Sequence, residues 1–409
     1  MIDRGSREER QKIRRMVLEQ IPSDSELQEG QLLQLIDENI RRVGGESYLR
    51  FAERKKLRTN IYNSMRRLDV LQELLENENI TEIMVNGPEH IFIEQKGRIM
   101  ESGLVFDSHE RLNDIAQQIA SEGNRIVNET SPILDVRLAD GSRVNIVMPP
   151  IAMEGPVITI RKFPKDPLTM SKLTDMGALT EEAAEVLRKL VEARYNIFIS
   201  GGTGAGKTTF LNILSNYIPW DERVITIEDS AELQIKKVKN LVRLEARNAN
   251  VEGKNQVTIR DLIKSALRMR PDRIVVGEIR DATAIDMLTA MNTGHDGSLS
   301  TGHANSPGDM LNRLETLVLM GMEIPLDAVR QQIASAIDII VHLGRLRDKS
   351  RKVLEICEVG QCERGKIGMY PMFQFCEERE QEGKIIGSLK RTEHKLINDD
   401  KCAKAGIQI

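Results

Sequence analysis

The period with which hydrophobic and polar positions alternate changes along the 409 residues, and these changes divide the chain into regions. From 1 to 66 the apolar residues recur at helical spacing, as Leu32, Ile36 and Ile40 do, which predicts an N-terminal helical segment. From 67 to 163 short β-branched runs alternate with Gly-containing turns around one helical stretch. This second pattern predicts a mixed α/β domain.

The rest of the chain begins with a segment typical of a hinge, residues 164–177, in which prolines lie among polar residues. Beyond it, strand-length and helix-length patterns alternate. We predict helices at 180–194, 207–217, 258–269 and 281–292, and strands at 196–200, 223–228 and 273–277. Such alternation between 178 and 345 is typical of a parallel sheet covered by helices. Residues 346–409 are predicted to form short strands and a charged tail.

Composition narrows the class of protein. A net charge of −4, with both signs interspersed, argues against a general nucleic-acid binder. The apolar runs are far shorter than the roughly 18 residues of a spanning helix, and the charged beginning of the sequence predicts no signal peptide. Four cysteines do not suggest a secreted disulfide framework. The sequence therefore predicts a cytosolic protein of two or three domains.

A glycine-rich segment lies between the first predicted strand of this region and the helix after it. Gly201–Thr208 reads GGTGAGKT and satisfies the pattern G-x-x-x-x-G-K-[ST] in full. Its glycines allow backbone N–H groups to surround phosphate oxygens, and the helix N-terminus adds a positive dipole end. Lys207 is predicted to contact the β- and γ-phosphates, and Thr208 to ligate Mg²⁺. The predicted nucleotide-binding residues of this P-loop are Gly201, Gly202, Thr203, Gly204, Ala205, Gly206, Lys207, Thr208 and Thr209.

Acidic residues follow two further predicted strands. Glu278 lies at the carboxyl end of one, where ligands bind in open α/β sheets, and a carboxylate there can orient and polarise water. P-loop enzymes usually carry Asp immediately before this Glu to support Mg²⁺, whereas Gly277 stands here. Glu228, Asp229 and Glu232 are candidates for the missing acids, acting on Mg²⁺ through water. The alternative for both groups is a helix-capping role.

Two of the six histidines, His295 and His303, lie in the segment NTGHDGSLSTGHANSP. Without cysteines or paired carboxylates they do not form a zinc pattern. An imidazole in a nucleotide-binding fold can hydrogen-bond the γ-phosphate and respond to its loss, which makes both residues candidates for nucleotide binding. The alternative is a histidine that is satisfied within a turn.

These motifs resemble those of the secretion-ATPase superfamily, the hexameric motors of type II and type IV secretion and of type IV pili. Within it the chain is most similar to the GspE/CpaF-type proteins, above all to the CpaF-type branch that assembles tight-adherence (Flp) pili. The matching segments are GGTGAGKTT, IEDSAEL, VTIRDLIKSALRMRPDRIVVGEIRD and GHDGSLSTGHANS. ITEIMVNGPEHIFIE and DVRLADGSRVNIVMPP…ITIRKF resemble that branch's N-terminal domain.

The resemblance implies an α/β fold, with a RecA-like P-loop ATPase core at 178–345 and a PAS-like mixed α/β domain at 67–163 before it. It implies that Glu278 is the catalytic glutamate and that His303 is the principal histidine, with His295 behind it. Glu228 would act with Glu278 in catalysis. The resemblance assigns it to an acidic box formed by Glu228, Asp229 and Glu232. The Gly-Glu pair at 277–278 is then an ordinary feature of the family.

Arginines from the N-terminal domain are implied to complete the catalytic site: Arg137, Arg143 and Arg161. The first two flank a hairpin. If its loop has three residues (139–141), they face each other across the strands, which is destabilising unless an anion lies between them. A two-residue turn at Asp140–Gly141 would place them on opposite faces. The sequence alone leaves both registers open.

The expected activity is Mg-dependent ATP hydrolysis by a cytoplasmic homo-hexamer. The resemblance implies that it powers pilus assembly or type II/IV secretion through an inner-membrane platform protein, peripherally associated with the inner face of the membrane. ATP and Mg²⁺ are the expected cofactors. Zinc is not expected, because the four cysteines lack CxxC spacing: Cys357, Cys362, Cys376 and Cys402.

Two rival functions remain at this point. A RecA-like nucleic-acid translocase is disfavoured by the acidic balance and by an aromatic content of 3%. A nucleotide-gated scaffold with little turnover is disfavoured by the intact Lys207, Glu278 and acidic box. No nucleic-acid partner is therefore expected.

Overall fold

A computed structural model describes residues 4–21, 27–43, 51–95, 97–163, 167–247 and 254–409. The chain divides into two compact units, Met1–Lys165 and Asp166–Ile409.

The first unit begins with helices whose apolar stripes pack against one another. They are α1 (Arg4–Glu19), α2 (Glu29–Val43) and α3 (Phe51–Arg66), and their shared core includes Ile13, Leu32, Ile36 and Ile61. A short helix, α4 (Val70–Glu76), follows.

A six-stranded antiparallel sheet forms the rest of this unit. Its strands are β1 (Ile80–Asn86), β2 (His90–Gln95), β3 (Arg98–Glu101), β4 (Ile133–Arg137), β5 (Arg143–Val147) and β6 (Val157–Arg161), in the order β3-β2-β1-β6-β5-β4. Alternate residues such as Ile83, Val144 and Ile158 are fully or almost fully buried with helix α5 (His109–Glu122). The residues between them point to the opposite face of the sheet and are more exposed, as the two-residue period of a strand predicts.

The second unit is built on a nine-stranded sheet. Its helices are α6 (Met170–Asp175), α7 (Glu181–Glu192), α8 (Lys207–Ser215), α9 (Ile259–Ala266), α10 (Thr283–Asn292), α11 (Pro307–Leu319), α12 (Leu326–Ala336) and α13 (Asp400–Ala405). Its strands are β7 (Ile197–Gly201), β8 (Arg223–Glu228), β9 (Asn240–Glu245), β10 (Arg273–Val276), β11 (Leu299–Gly302), β12 (Ile339–Arg345), β13 (Arg351–Glu363), β14 (Lys366–Gln381) and β15 (Lys384–Arg391). Residues 164–166 of the predicted hinge lie outside the described residues, and α6 lies in the remainder.

The predicted parallel sheet between helices is confirmed. Six strands run parallel in the order β12-β7-β11-β10-β8-β9. Neighbouring residues of β7 face different cores, because Ile197 and Ile199 belong to one buried cluster and Phe198 to another. A sheet covered on both faces explains why these strands read as continuous apolar runs.

The strands of the C-terminal region add to this same sheet. β13 pairs antiparallel with β12, and β14 and β15 continue outward. The helix α13 packs near α7, where Lys401 donates hydrogen bonds to Asp338 (2.7 Å) and Asp296 (2.8 Å). The prediction of short strands for residues 346–409 is wrong, because β13 has 13 residues and β14 has 16, and both extend the parallel sheet.

Buried polar groups connect the strands at their amino ends. Asn196, which precedes β7, donates from its backbone to Asp338 Oδ2 (2.7 Å). Its side-chain oxygen accepts from the backbone of Gly297 (2.8 Å) and Ser298 (3.0 Å), just before β11. These bonds satisfy backbone groups that the strand ends would otherwise leave unpaired.

The largest fully buried side chain of the described residues is Arg273, the first residue of β10. Its Nε and Nη2 donate to the two carboxylate oxygens of Glu222 at 2.5 and 2.8 Å, and Nη1 donates to Val191 O. A Cβ at Gly297 would lie only 2.6 Å from Nη1. The guanidinium is therefore fully enclosed, and the carboxylate of Glu222 compensates its positive charge.

We predict that Glu222→Gln destabilises the second unit by about 3 kcal/mol, because removal of one partner leaves a buried charge uncompensated. Chemical denaturation of the full chain measures this change. Glu185→Gln is the control, since its partner Arg188 is on an accessible helix face. If the free energy of unfolding falls equally in the two variants, the buried Arg273–Glu222 pair is no more important for stability than the exposed pair.

Candidate active site

The P-loop connects the buried strand β7 to helix α8. Gly204 and Gly206 have φ values of 71° and 95°, a region that favours glycine. A Cβ at Gly201 would lie 2.5 Å from Leu343 O on the neighbouring strand β12. The glycines predicted from sequence are thus required by backbone conformation at two positions and by close approach at a third.

Lys207 is buried at the first position of α8. Its Nζ donates to Gly202 O (3.1 Å) and lies 3.2 Å from His303 Nδ1. Burial, followed by the charges of Arg280 and Arg313, lowers the pKa of Lys207, while Glu278 opposes the change. The ammonium therefore lies within the loop, between the backbone and the end of β11.

His303 and Glu278 meet at the carboxyl ends of adjacent strands. β11 pairs in parallel with β7 on one side and with β10 on the other. His303 Nε2 lies 3.0 Å from Glu278 Oε1, although this contact lacks hydrogen-bond geometry, because Oε1 has no hydrogen-bond partner among the described residues. The ring is thus positioned between Lys207 and Glu278.

Arg280 is a site residue that the sequence analysis missed. Its Nη2 donates a 2.7 Å hydrogen bond to Glu278 Oε2, and its Nη1 lies 3.7 Å from Asp229 Oδ2. It therefore connects the predicted catalytic carboxylate to the acidic box. The only sequence signal was its position two residues after Glu278, and the backbone of a loop can direct a side chain at that spacing either toward Glu278 or away from it.

Charges around Glu278 determine its protonation. Burial raises the pKa of its carboxyl, but the hydrogen bond and charge of Arg280, with the charges of His303 and Lys207, hold the pKa below its ordinary value. Burial, together with the charge of Lys207, lowers the pKa of His303. At neutral pH the pair is therefore an ionised carboxylate beside a neutral imidazole.

Glu228 fills the space beside Gly277. A Cβ at Gly277 would lie 3.1 Å from Glu228 Cγ, because the two residues continue the adjacent strands β10 and β8. Glu228 Oε1 accepts hydrogen bonds from the backbone of Glu232 (2.8 Å) and Leu233 (3.0 Å). A carboxylate from the next strand thus lies next to the position where P-loop enzymes usually carry Asp, and glycine leaves room for it.

Hydrogen bonds connect the residues that follow the acidic box to the helix α8. Asn212 Oδ1 on α8 accepts from Gln234 N (2.7 Å), and Asn216 Oδ1 accepts from Lys236 N (3.1 Å). This segment follows Asp229 and Glu232, so that the acidic box and α8 form one connected structure.

Comparisons with known proteins identify the family. The family model described as "Type II/IV secretion system protein" matches residues 65–403. A putative conjugal transfer protein of Mycobacterium tuberculosis is 36% identical over 300 residues, 72% of this chain and 85% of that protein. The chain belongs to the type II/IV secretion system protein family. VirB11 of the type IV secretion system of Bartonella henselae is 30% identical over 329 residues, 71% of this chain and 91% of that one.

A solved structure has a similar fold. The structure of the Legionella pneumophila ATPase DotB aligns with a TM-score of 0.51 and 22% identity, covering 72% of this chain and 80% of DotB. The predicted α/β fold is thereby confirmed.

His295 does not lie with the other predicted site residues of this family member. It precedes β11, whereas His303 follows it, so the two histidines are at opposite ends of the strand. His295 Nδ1 lies 3.2 Å from Ala290 O at the end of α10. Their closeness in sequence concealed this, because β11 runs between them and its length places them at opposite ends of the strand.

A buried histidine that the sequence analysis did not select connects two parts of the site. His342 on β12 lies beside β7, and its Nδ1 is 2.9 Å from Ser200 Oγ. Burial lowers the pKa of His342, and the backbone of Asn305, two residues after His303, is close enough to the ring to oppose this change. This neutral side chain thus ties the loop after β11 to the strand that carries the P-loop.

The hairpin between β4 and β5 has the first of the two registers that the sequence allowed. Arg137 pairs directly with Arg143, and Leu138 N donates to Ser142 O (2.9 Å), which leaves a loop of three residues. Gly141 within it has φ of 90°. The two arginines consequently share one face of the sheet.

Arg161 extends this row on the next strand. It pairs with Arg143 across β5 and β6 and with Glu82 across β6 and β1, and its Nε lies 3.8 Å from Glu82 Oε1. The first unit therefore carries the three predicted arginines side by side on adjacent strands, with Glu82 beside Arg161. Such a concentration of guanidinium groups is suited to an anion.

The residues present fit a nucleotide with its metal. The left-handed glycines, the start of α8 and the buried Lys207 provide the elements of a phosphate site. Glu228 Oε2 has no hydrogen-bond partner among the described residues, which leaves it available to a metal-bound water. Thr208 is the hydroxyl ligand that the loop offers.

We find no metal site formed by protein side chains alone in the described ranges. No three or more His, Cys, Asp or Glu side chains are grouped there so that they could hold a metal ion. Cys357 and Cys402 are buried, Cys362 is half-buried and Cys376 is exposed. None of the helices within those ranges is long and apolar enough to cross a membrane.

Glu228 generates a prediction about pH. Burial raises the pKa of Glu228 from 4.5 to about 7 despite two backbone hydrogen bonds. Folding therefore favours the protonated form, and the stability linked to it is present below pH 4.5 and lost as pH rises through 7.

Glu228→Gln should thus stabilise the nucleotide- and Mg²⁺-free protein increasingly between pH 5 and pH 8, by up to about 3 kcal/mol. Unfolding curves at several pH values measure the difference from wild type. Asp229→Asn, an exposed neighbour, is the control. A difference for Glu228→Gln that does not change with pH would contradict a raised pKa.

Proposed function

We propose that this chain is a Mg-dependent ATPase, the motor of a secretion or pilus-assembly machine. The observation that carries the proposal is the sequence of contacts from Lys207 through His303 and Glu278 to Arg280, beside a complete P-loop. Structural roles alone would not require so many ionisable groups at one edge of the sheet. Membership of the type II/IV secretion family supports the same conclusion.

The P-loop binds the phosphates in this proposal. Backbone N–H groups of the loop and the start of α8 surround the phosphate oxygens, and Lys207 adds its charge. In the structure Lys207 is held by Gly202 O and His303. A phosphate oxygen would replace these neutral partners and oppose the lowering of the Lys207 pKa, because a nearby anion favours the charged ammonium.

Glu278 orients the attacking water and accepts its proton. The carboxylate is ionised, and the absence of an aligned donor at Oε1 within the described residues leaves one oxygen for that water. Arg280 fixes the other oxygen at 2.7 Å. His303, which contacts both Lys207 and Glu278, is placed to respond when the γ-phosphate leaves.

Mg²⁺, when bound, neutralises phosphate charge, and Thr208 would hold it, with Glu228, Asp229 and Glu278 acting through water. Asp229 also lies beside Arg280. Arg137, Arg143 and Arg161 are proposed to stabilise the negative charge of the transferring phosphoryl group, a contribution that can reach about 10³-fold in rate.

We further propose a homo-hexamer at the cytoplasmic face of the membrane, bound peripherally to an inner-membrane platform protein and without a nucleic-acid substrate. The resemblance to the CpaF-type branch supports Flp pilus assembly. The relatives that function in conjugal transfer and type IV secretion support the wider class. A ring gives every site the same neighbour, which suits a site completed by arginines from another domain or subunit.

Two substitutions separate binding from chemistry. Lys207→Ala should weaken both ATP binding and turnover, because it leaves phosphate charge uncompensated. Glu278→Gln should still bind Mg-ATP but lose about 10²-fold or more in turnover, because an amide cannot accept the proton. Calorimetry and a phosphate-release assay measure the two properties, with the exposed Glu323→Gln as control. Near wild-type turnover in Glu278→Gln would assign the catalytic carboxylate elsewhere, first to Glu228.

Ring formation predicts a dependence on concentration. Turnover per subunit should rise as the full-length chain is concentrated, in parallel with the appearance of hexamers in sedimentation. Arg161→Gln should lower turnover at saturating protein while hexamers persist, because it removes charge and leaves the strand in place. Full activity per subunit in a strictly monomeric sample would refute the ring mechanism.

A further inference from the structure

Arg351, the first residue of β13, lies against the P-loop from the side opposite to Glu278. Its Nε donates a 2.8 Å hydrogen bond to Gly204 O. Its Cδ is 3.8 Å from the position that a Cβ would take at Gly206. β12 and β13 lie on one side of β7, whereas β11 and β10, which precede His303 and Glu278, lie on the other. A separate part of the fold therefore reaches the loop.

The connection that leads to Arg351 is held by the outer strands. Arg347 donates to Glu377 (2.8 Å) and Glu380 (2.9 Å) on β14. Asp348 accepts a 2.9 Å hydrogen bond from Ile385 N on β15. The turn between β12 and β13 is thus fixed at two points, and its orientation does not depend on the P-loop itself.

Next to Arg351, the same strand is joined to the residues before α7. Lys352 Nζ donates to Gly177 O (2.6 Å), and Val353 N donates to Ala178 O (2.9 Å). The backbone that carries Arg351 is therefore supported on both sides. Its guanidinium is held in place and can therefore fix the position of a more flexible backbone segment.

The P-loop is a segment with such a flexible backbone. Gly204 and Gly206 lack side chains that would restrict their backbone, and glycine loses more conformational freedom on ordering than any other residue. A peptide plane carries the carbonyl of one residue and the N–H of the next on opposite sides. A bond that fixes Gly204 O therefore also fixes the direction of Ala205 N–H.

We propose that Arg351 is a positioning residue that holds the Gly204–Ala205 peptide, so that the P-loop is ordered before a phosphate ligand binds. Ordering in advance lowers the entropic cost of binding. The ligand part of this inference rests on the proposed function, whereas the order of the loop is a property of the nucleotide-free chain. The C-terminal strands thereby acquire a role at the site.

Two variants at this position separate the hydrogen bond from the charge. In glutamine, Nε2 stands the same number of bonds from the backbone as Nε of arginine, so Arg351→Gln retains the donor and removes the charge. Arg351→Met has similar length and no donor. Arg345→Met is the matched control: Arg345 pairs with Arg351 across β12 and β13, and no hydrogen bond joins it to the loop among the described residues.

The measurements use the full-length chain. Hydrogen exchange of peptides spanning 201–208 is followed without nucleotide, and the affinity for a fluorescent ADP is titrated separately. Arg351→Met should speed exchange in the loop and weaken ADP binding about tenfold, as loss of one hydrogen bond does. Arg351→Gln and Arg345→Met should remain close to wild type in both, and ATP turnover of Arg351→Met should change in KM more than in kcat.

Each outcome decides a point. Unchanged loop exchange in Arg351→Met, or equal effects of Met and Gln, would overturn the positioning role. Expected exchange in a wild-type chain that binds no ADP would retain the positioning role and refute the proposed function instead. Thermal unfolding of each variant checks that the fold is intact, so that a general loss of structure is recognised.

Discussion

The parallel pairing of β7, β11 and β10 is the constraint on which the candidate site depends. Gly302 pairs with Ser200, and Val276 pairs with Ser300, so β10 ends two residues before β11, and the three strands end within about three residues of one another. His303 directly follows β11, Glu278 follows β10 after Gly277, and Lys207 follows β7 at the end of the glycine-rich loop. A shift of register by one residue on any strand would turn its side chains to the other face and separate the charges.

Sequence reasoning predicted the elements whose patterns are long or chemically explicit. The seven elements predicted between 178 and 345 each correspond to an observed helix or strand, because buried apolar runs and the P-loop define them. β11 was not predicted, since Leu299–Gly302 contains glycine and hydroxyl residues that also suit a turn. It forms a strand because neighbours on both sides satisfy its backbone. β9 (Asn240–Glu245), an edge strand, likewise lacks a continuous apolar run.

The same limit applies to the site. P-loop residues and Glu278 could be selected from local spacing, because phosphate binding and strand ends leave characteristic patterns. Arg280, His342 and Arg351 could not, since their roles arise from contacts across the sheet. His295 shows the opposite error, because proximity in sequence suggested a shared site that one short strand divides.

The two ends of the parallel strands differ in mechanical character. At the amino ends, Arg273 with Glu222 and Asp338 with Lys401 form networks enclosed by the fold. At the carboxyl ends, glycine loops and half-exposed charges predominate. Ligand binding at the carboxyl ends would therefore act first on loops, while the enclosed ion pairs keep the amino ends of the strands in place.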